Sequence, residues 1–466
     1  MSELKNIRNI YFIGIGGIGM SALARYFQSL GTVVSGYDRT PTPLTQVLEQ
    51  SGIAIHYEER VDLLPKDVDV VVYTPAIPAG NAELQYYREH NYKVVKRSDI
   101  LQWITEAAFN ICIGGTHGKT TITTLTAHVL RDTGYGCNAF LGGISANYQT
   151  NFWSNERNVV VVEADEYDRS FLKLVPDIAV VTAMDADHLD IYGTPEEVEN
   201  AFIQFSRKIK PGGLLISKKG MHRETELTAD THYTYSFDST AADVYAADIK
   251  VENGSYRYNV IHTNWVLNDV VLHMGGLHNI ENSIPAITIA KHLQIDDEKI
   301  KAAIASFKGV KRRFEYIIPP VNSFAAVDAA HHEAGHVLID DYAHHPEELK
   351  ALIKGVRSLF GGRKCTVVFQ PHLFSRTKDL YKEFAQSLDL ADEVWLLPIY
   401  PARELPVEGV TSALILDEMK LADKRIVSKE ELKERVKAEK PQLLILCGAG
   451  DIDALVQPVK NILLND

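Results

Sequence analysis

The chain has 466 residues, of which 45% are hydrophobic and 23% charged, values typical of globular domains with buried cores. At roughly 100–200 residues per domain, this length predicts about three domains. The formal net charge of −13 argues against general nucleic-acid binding, because a phosphate backbone needs a basic face. The four cysteines are far apart and form no C-x-x-C pair, which argues against a disulfide framework or a zinc site.

No window of the sequence reaches the 18 or more apolar residues expected of a membrane helix. The apolar run that starts at Ile10 is interrupted by glycines and is not followed by a signal-peptide cleavage site. We therefore expect a cytoplasmic protein without membrane insertion.

The first chemical motif is FIGIGGIGMSAL, in which Gly14, Gly16 and Gly19 fit the pattern G-x-G-x-x-G. A predicted strand (9–15) precedes it and a predicted helix (19–30) follows, as in units that hold a dinucleotide pyrophosphate at a helix N-terminus. Asp38 follows Gly19 at about the distance of a ribose-binding acid. The motif suggests either a nicotinamide oxidoreductase or a protein that binds another pyrophosphate.

A second phosphate-binding motif, GGTHGKTT at residues 114–121, follows the predicted strand 110–114. At a helix N-terminus, Lys119 would reach the outer phosphates of a nucleotide and the Thr120 hydroxyl would bind Mg²⁺. Only three residues separate Gly114 from Gly118, where the usual loop has four. The alternative is a glycine-rich turn with an incidental lysine, which the strand–loop–helix context disfavours.

Acidic segments follow the next two predicted strands of this region. VVEADEYD (161–168) follows strand 158–164, and MDADHLDIYG (184–193) follows strand 178–183. Mg²⁺ prefers carboxylates, water and phosphate oxygens as ligands, so beside a phosphate loop the first segment predicts a metal site, although taken alone it could be a solvated loop. His188, among Asp185, Asp187 and Asp190, could complete a second divalent site, although a lone histidine is more often structural.

The remaining pattern predicts three α/β domains, at residues 1–107, 108–312 and 313–466. The first is Rossmann-like. The second is of the P-loop ATPase type, with helix 195–208 capped by Thr194 and an added antiparallel sheet over 231–276. The third is again Rossmann-like, because its predicted strands alternate with helices.

Residues 332–336 match the zinc-protease motif H-E-x-x-H. That chemistry requires one continuous helix, so that both histidines share a face. Gly335 and the β-forming run VLID that follows favour a loop leading into a strand, and we do not predict a zinc protease.

Many further motifs occur in the order found in the Mur ligases. They are GTHGKTT, EADEYDRSFL, DADHLDIYG, GGLHNIENSIPA, KGVKRRFE, DDYAHHPEE, FQPHLFSRT and CGAGDI, together with FIGIGGIGMSALA and YTPAIP. By this similarity, which extends over about residues 9–453, the chain is identified as a member of the Mur ligase family. Within the family it most resembles the members that join L-alanine to UDP-N-acetylmuramate.

The resemblance implies an α/β enzyme whose three domains bind different substrates. The expected UDP-sugar contacts are Gly14, Ile15, Gly16, Gly17, Asp38, Thr74, Pro75 and Ala76. The expected ATP contacts are Gly114, Gly115, Thr116, His117, Gly118, Lys119, Thr120, Asn279, Asn282, Arg313 and Asp341. The expected amino-acid contacts are Tyr342, His344 and Arg376.

The resemblance also implies the reaction. The muramyl carboxylate attacks the γ-phosphate of ATP, and the amine of L-alanine then attacks the resulting acyl phosphate, which releases phosphate and leaves an amide. Lys119, His188 and Arg376 are the implied catalytic residues. Thr120, Glu163 and His188 are the implied ligands of Mg²⁺, or of Mn²⁺ in its place. The implied partners are the three substrates, with the chain a monomer or a weak homodimer.

Three features of the sequence differ from the patterns of the family or of its relatives. Leu373 stands in FQPHLFSRT where arginine is frequent, which raises the question of what else holds the alanine carboxylate. The stretch between Phe324 and Val337 resembles an insertion. Ile203 occupies the position of a lysine that is carbamylated in some sister ligases, so we predict no such modification.

Three other functions remain open at this point. A recycling ligase that attaches a whole tripeptide to the same UDP-sugar shares the front half of the pattern, but EADEYDRSFL favours the addition of a single alanine. A nicotinamide oxidoreductase would use the first glycine motif. A regulatory ATP-binding protein without ligase activity would use only the second.

Overall fold

The computed structural model of the chain describes residues 3–252, 254–320, 335–402 and 404–464. It divides into two compact units, Met1–Tyr245 with Asn282–Ile300 and Ala246–Glu281 with Lys301–Asp466. The limits of the three predicted domains stay predictions, because this division groups the first sheet with most of the second. Within the described ranges, no helix combines the length and apolarity needed to cross a membrane.

The first unit begins with a parallel five-stranded sheet in the order β3-β2-β1-β4-β5. Residues of β1 such as Tyr11 and Phe12 are buried, as expected where helices cover both faces of a parallel sheet. Its elements are β1 (Asn9–Ile13), α1 (Ile18–Ser29), β2 (Val33–Tyr37), α2 (Pro43–Gln50), β3 (Ala54–His56), β4 (Val70–Tyr73), α3 (Ala82–Glu89), β5 (Val94–Lys96) and α4 (Arg97–Ala107).

A second sheet of the first unit runs in the order β12-β11-β10-β6-β9-β7-β8. It is parallel except for the antiparallel hairpin of β7 and β8, and β12 pairs in parallel with the start of β13. Its elements are β6 (Phe109–Gly114), α5 (Lys119–Asp132), β7 (Asn138–Ser145), β8 (Thr150–Trp153), β9 (Val159–Ala164), β10 (Ile178–Val181), α6 (Leu189–Tyr192), α7 (Pro195–Ser206), β11 (Leu214–Lys218), β12 (Thr231–Ser236) and β13 (Val244–Glu252).

The register of this sheet places three loops side by side. Gly114, the last residue of β6, pairs with Ala164 of β9 and with Val181 of β10. Neighbouring strands lie about 4.8 Å apart, so the loops that leave these three strand ends begin next to one another. The edge where they meet is the position that open α/β sheets use for ligands.

Helix α1 packs against the hairpin of β7 and β8. The Asn151 side-chain amide donates hydrogen bonds to the Ile18 carbonyl at 2.6 Å and to the Ser21 hydroxyl at 3.0 Å. The ring of Tyr26 meets those of Phe140 and Phe152 edge-on, with centroids 5.3 and 6.1 Å apart. These contacts hold the helix that follows the first glycine motif against the sheet that carries the second.

The second unit contains the antiparallel pair of β14 and β15 and a six-stranded sheet in the order β16-β17-β21-β18-β19-β20. Only the edge strand β16 of that sheet is antiparallel to its neighbour. The elements from β14 onward are β14 (Ser255–His262), β15 (Trp265–Leu272), α8 (Leu277–His292), α9 (Asp297–Ser306), β16 (Glu315–Ile318), β17 (Val337–Asp341), α10 (Pro346–Leu359), β18 (Cys365–Phe369), α11 (Phe374–Leu388), β19 (Glu393–Leu396), α12 (Ala413–Glu418), β20 (Lys424–Ile426), α13 (Lys429–Glu439), β21 (Leu443–Cys447) and α14 (Val456–Leu464). Helices α8 and α9 cross from one unit to the other.

The prediction of an antiparallel sheet over residues 231–276 is correct for β14 and β15 and wrong for β12. Strand β12 pairs in parallel with both β11 and β13. Alternation of polar and apolar residues indicates a strand with one exposed face and does not indicate the direction of its neighbour. The Thr194 cap of α7 is confirmed, since its hydroxyl accepts a hydrogen bond from the Glu197 amide at 3.4 Å.

Arg312 joins the ends of two strands in the second unit. Its guanidinium donates to the Gly448 carbonyl at 2.5 Å and lies 3.7 Å from a carboxylate oxygen of Asp340 and 3.6 Å from one of Asp453. The ring of Tyr342 lies beneath it, 5.0 Å from centroid to guanidinium carbon. Arg312 therefore positions the segment that follows β17, where two of the predicted site residues occur.

Asp340 is the buried member of this group, with 3% of its surface exposed. Burial raises the pKa of Asp340 to about 7, and the Arg312 charge only partly offsets that effect. The folded state therefore binds a proton in a pH range where the unfolded chain, with an ordinary aspartate pKa, has released it. Stability contributed at this position is highest below about pH 4 and falls as the pH rises toward 7.

We expect Leu444→Ala to destabilise the second unit by about 2–5 kcal/mol, the usual cost of a leucine deleted from a packed core. Leu444 is fully buried in β21, within a cluster that includes Trp395 and Val368. The exposed Leu405, with 85% of its surface accessible, provides the matched control. Urea unfolding should give a clearly lower midpoint for Leu444→Ala and one near wild type for Leu405→Ala. Equal midpoints for the two variants would contradict the packing described above.

We also expect Asp340→Asn to flatten the pH dependence of stability. An asparagine cannot lose a proton, so the loss of stability between about pH 4 and 7 should be smaller than in the wild type. Urea midpoints at pH 4 and pH 8 measure this, with the exposed Glu418→Gln as control. A variant that loses as much stability as wild type over this interval would show that Asp340 is ionised throughout.

Candidate active site

The second glycine motif forms a loop between β6 and α5 that is open to an anion. Gly115 has φ +133°, and a Cβ there would lie 2.0 Å from the Thr182 hydroxyl, so only glycine fits. Gly118, with φ +77°, caps α5 without a side chain. Five consecutive backbone amides, from residue 117 to residue 121, have no acceptor in the described parts of the chain. Free amides at a helix N-terminus are a binding site for phosphate.

Lys119 lies in this loop and is held by two acceptors. Its ammonium donates to the Gly115 carbonyl and to a carboxylate oxygen of Glu166, each at 2.7 Å. The two side chains of this ion pair are 15% and 1% exposed. Since an ammonium has three donors, one remains for a ligand. The ion pair therefore lies at a site that is largely shielded from water.

Thr120 and Glu163 are adjacent, as the resemblance implies for two ligands of one metal ion. The Thr120 hydroxyl donates to a Glu163 oxygen at 3.2 Å. A Cβ on Gly142 would lie 2.1 Å from the other carboxylate oxygen, so the glycine leaves room for this side chain. A hydroxyl and a carboxylate beside free loop amides suit a hard cation that is shared with phosphate oxygens.

His188 contributes to a second group of ligands. Its imidazole and carboxylate oxygens of Asp187 and Glu166 all lie within 4.8 Å of one another. The predicted neighbours Asp185 and Asp190 are not members of this group. Asp185 lies instead 3.4 Å from the His117 imidazole. Which acids would complete a metal site with His188 stays a prediction, because sequence spacing alone does not tell which acids of neighbouring loops converge.

Glu166 is a candidate site residue that was not among those predicted from the sequence. It joins the Lys119 loop to the His188 group, and its second oxygen is buried without a partner among the described residues. The Tyr192 hydroxyl donates to its backbone carbonyl at 2.6 Å and fixes this part of the loop. The sequence could have indicated Glu166, because this residue lies in the acidic segment 161–168 that predicts a metal site.

Asn282 lies next to the second glycine motif. Its side-chain oxygen is 2.9 Å from the position that a Cβ on Gly118 would occupy, so a larger residue at 118 would displace it. Asn279 occurs one turn earlier in α8 and donates to the Gly275 carbonyl at 2.6 Å. Their role as adenine contacts stays a prediction.

The first glycine motif forms a tight loop against the end of β2. The Gly14 and Ile15 amides donate to the Tyr37 carbonyl at 2.7 and 3.0 Å. The Gly16 amide donates to a carboxylate oxygen of Asp38 at 2.7 Å, so Asp38 closes the loop.

The predicted Thr74–Pro75–Ala76 contacts lie beside this loop. The Thr74 carbonyl accepts a hydrogen bond from the Ile77 amide at 3.0 Å, which closes a turn. The Ile77 side chain then lies 2.9 Å from the position of a Cβ on Gly14. The structure thus brings two separate segments of the predicted UDP-sugar site together.

In the second unit, Asp341 organises the start of a loop. Its two oxygens accept hydrogen bonds from the Phe314 and Ala343 amides, each at 2.7 Å. Burial raises the pKa of Asp341 to about 6, although these two hydrogen bonds act in the opposite direction. Arg313, which precedes Phe314, has an exposed side chain whose positive charge lowers the pKa of Asp341.

Four aromatic rings and one arginine form a second cluster in this unit. Tyr342 packs edge-on against His344, with centroids 5.1 Å apart, and His344 lies 6.1 Å from His372. His372 stacks on Tyr400 at 5.8 Å with an interplanar angle of 18°. The Nδ1 atom of His372 and the Nη1 atom of Arg376 are buried without a hydrogen-bond partner in the described residues.

Such unsatisfied groups are costly unless a ligand binds them. Burial and the neighbouring charges of Arg376 and His344 lower the pKa of His372, so its neutral form is favoured. His372 was not among the predicted amino-acid contacts, although it lies within the quoted motif FQPHLFSRT.

Part of the H-E-x-x-H motif lies outside the described residues, which resume at Gly335. His336 precedes β17 and its Nδ1 atom lies 3.0 Å from the Pro441 carbonyl. The prediction of a strand after the motif is confirmed. The residues of the apparent insertion up to Ala334 are outside the described ranges.

Comparison with known proteins covers nearly the whole chain. Three family models match, described as "Mur ligase family, catalytic domain" over residues 9–108, "Mur ligase middle domain" over 113–290 and "Mur ligase, glutamate ligase domain" over 312–450. A UDP-N-acetylmuramate–L-alanine ligase of Porphyromonas gingivalis is 46% identical over 465 residues, which are 98% of this chain and 99% of that protein. One of Cytophaga hutchinsonii is 44% identical over 469 residues, covering 98% and 97%.

Solved structures agree with these relatives. The UDP-N-acetylmuramate–alanine ligase of Thermotoga maritima superposes with a TM-score of 0.80 at 27% identity, covering 98% of this chain and 99% of that one. A murein peptide ligase of Psychrobacter arcticus shares the fold, with a TM-score of 0.64 at 22% identity over 98% and 99%. On the strength of the three matched regions and these full-length relatives, the chain belongs to the Mur ligase family.

Proposed function

We propose that this chain is an ATP-dependent ligase that joins L-alanine to UDP-N-acetylmuramate in the synthesis of peptidoglycan precursors. The observation that carries the proposal is the loop of residues 114–121, where free amides and Lys119 face two groups of metal-ligating side chains. Full-length relatives at 44–46% identity carry the name of this activity.

The loop binds the phosphates of ATP through its free amides and the Lys119 ammonium. Phosphoryl transfer depends chiefly on positioning and charge neutralisation, and both groups supply these to the γ-phosphate. Glu166 holds the ammonium in place before the nucleotide enters. The carboxylate of the UDP-sugar then attacks the γ-phosphorus, which gives an acyl phosphate and ADP.

The residues present fit two Mg²⁺ ions. Thr120 and Glu163 would hold one of them, and His188 with Asp187 and Glu166 would hold the other, since hydroxyl and carboxylate oxygens are ligands that this cation accepts. When bound, Mg²⁺ neutralises the phosphate charge that develops during transfer. Mn²⁺ suits the same set, because it also binds carboxylate oxygens.

The first glycine motif holds the diphosphate of the UDP-sugar. The loop ends at the N-terminus of α1, and its glycines allow close approach of the backbone. Asp38, which closes the loop through the Gly16 amide, remains a candidate contact for the uridine half. A dinucleotide cofactor is not required, because the second phosphate loop accounts for ATP and the family is that of the Mur ligases.

The cluster around Arg376 binds the amino acid in this proposal. A carboxylate would satisfy the two buried nitrogens, Nη1 of Arg376 and Nδ1 of His372. His372 thereby offers a partner that compensates for Leu373, where other members frequently have arginine. Tyr342 and His344 border the same cluster, which suits a small side chain such as that of alanine.

Phosphate release measured with purified protein, ATP, Mg²⁺ and UDP-N-acetylmuramate tests the function. Adding amino acids one at a time should give release with L-alanine at least about tenfold above the others, as expected of a pocket that excludes larger side chains. Release with the tripeptide alone would instead identify the recycling activity. A nicotinamide absorbance change without ATP would identify an oxidoreductase.

In the same assay, Lys119→Ala should reduce turnover by at least about a hundredfold, as expected when a preorganised donor to a transferring phosphoryl group is lost. Its affinity for UDP-N-acetylmuramate should stay within about twofold of wild type, since the two phosphate loops are separate. The exposed Lys208→Ala provides a control of equal charge change. A folded Lys119→Ala protein that loses both properties would contradict this division of the site.

Arg376→Met should raise KM for L-alanine by about tenfold or more and leave KM for ATP nearly unchanged. The reason is the loss of a charge-assisted hydrogen bond to the amino-acid carboxylate, worth about 1.5–3 kcal/mol. Steady-state kinetics measure both constants, and the exposed Lys378→Met on the same helix is the control. Equal rises of both KM values would place Arg376 outside the amino-acid pocket.

A further inference from the structure

Gly19, the third glycine of the first motif, has a neighbour that its usual role does not explain. In dinucleotide-binding units this glycine allows close packing of helix and strand. Here a Cβ on Gly19 would lie 2.5 Å from the Nη1 atom of Arg97 and 3.3 Å from its Cδ atom. Gly19 lies in the first turn of α1 and has no positive φ, so the backbone does not require glycine. The absence of a side chain at Gly19 leaves room for the Arg97 side chain in its present position, and any larger residue would displace it.

Arg97 is the first residue of α4, directly after the edge strand β5. Its guanidinium donates no hydrogen bond to any residue in the described ranges. Its ionic partner is Asp165, with the two side chains 3.6 Å apart, beyond hydrogen-bond distance. The Arg97 side chain is 26% exposed, so its donors remain available to a ligand.

The end of α1 beside Arg97 also has unused donors. Gly17 caps the helix without a side chain, and the amides of Ile18, Gly19 and Met20 have no acceptor within the described parts of the chain. The Arg97 guanidinium and these three free amides therefore lie together at the N-terminus of α1. Arginine binds phosphate in a two-pronged geometry and stays charged at all relevant pH values.

We propose that Arg97 is a binding residue for the diphosphate of the UDP-sugar, admitted by Gly19 and positioned by Asp165. This assignment rests on the proposed function, which places that diphosphate on the first glycine motif. None of the predicted UDP-sugar contacts included Arg97, because it lies 78 positions beyond Gly19 in the sequence.

Asp165 gives the arginine a second connection. It belongs to the acidic segment 161–168, whose Glu163 and Glu166 lie at the proposed metal sites. A second ionic contact, between Lys173 and Asp99, joins the same two regions. In this proposal Arg97 thus lies between the diphosphate of the UDP-sugar and the acidic segment 161–168 of the proposed ATP site. The Asp165 carboxylate restricts the orientation of the arginine side chain.

The experiment compares UDP binding to the full-length wild type and to variants by isothermal titration calorimetry, together with KM for each substrate. Arg97→Met should weaken UDP binding and raise KM for UDP-N-acetylmuramate by tenfold or more, with KM for ATP within twofold. Arg97→Lys should lose less, and Asp165→Asn should lose about two- to fivefold. The control is Arg8→Met, because Arg8 is exposed at the opposite end of β1.

Gly19→Ala separates this role from general structural damage. Alanine suits a helix better than glycine, so the thermal midpoint should rise or stay unchanged. The added methyl group should nevertheless displace Arg97 and weaken UDP binding by fivefold or more. In an Arg97→Met background, the same substitution should change UDP affinity by less than twofold.

These measurements either support or overturn the assignment of Arg97 to the diphosphate. UDP affinity within twofold of wild type in Arg97→Met would overturn it, as would a full additional loss from Gly19→Ala in that background. Loss of thermal stability in step with binding, in both Arg97→Met and Arg97→Lys, would also overturn it. A wild type that binds no UDP and shows no alanine-dependent phosphate release would contradict the proposed function itself.

Discussion

The parallel pairing of β6 with β9 on one side and β10 on the other is the constraint on which the site depends. Gly114, Ala164 and Val181 are level in this register, so three loops leave the sheet at one place. The contacts of Lys119 with Glu166 and of Thr120 with Glu163 both cross between those loops. A shift of one strand by a single residue would turn every side chain of that strand to the opposite face and separate these partners.

Charge balance explains why the loop has this composition. The Lys119 side chain is largely buried, with 15% of its surface exposed, and the buried Glu166 carboxylate balances its charge. The free loop amides provide neutral donors. In the proposed function, a nucleotide would bring several negative charges to the same place, where carboxylates also converge. Divalent cations would offset these charges, which would join the acidic groups and the loop in one site.

In the second unit, too, charged side chains at the ends of strands position a loop. Arg312 links the ends of β17 and β21 and supports Tyr342, while Asp341 accepts two backbone amides. These contacts make the segment after β17 a defined platform. The unsatisfied nitrogens of His372 and Arg376 occur in the same unit, which is consistent with a site that is completed by a ligand.

Predictions from the sequence were most accurate for features that depend on residues close together in the chain. The strand–loop–helix order around both glycine motifs, the Thr194 cap and most strands of the third α/β region could be predicted, because they depend on residues close together in the chain. The parallel direction of β12, the hairpin of β7 and β8 and the edge strand β16 were not predicted, since strand partners are chosen by packing at long range. The assignments of site residues to substrates stay predictions.

The sequence by itself determined the loops of the two glycine motifs, the positions of the acids after their strands and the resemblance to the Mur ligases. Short-range spacing and residue type are sufficient for these, because a loop of a few residues has few ways to present its amides. Only the tertiary structure decided that Glu166, and neither Asp185 nor Asp190, joins His188, and that Arg97 lies against Gly19. Those partners are separated by between 22 and 78 positions, and their distances depend on sheet register and helix packing, which no local pattern encodes.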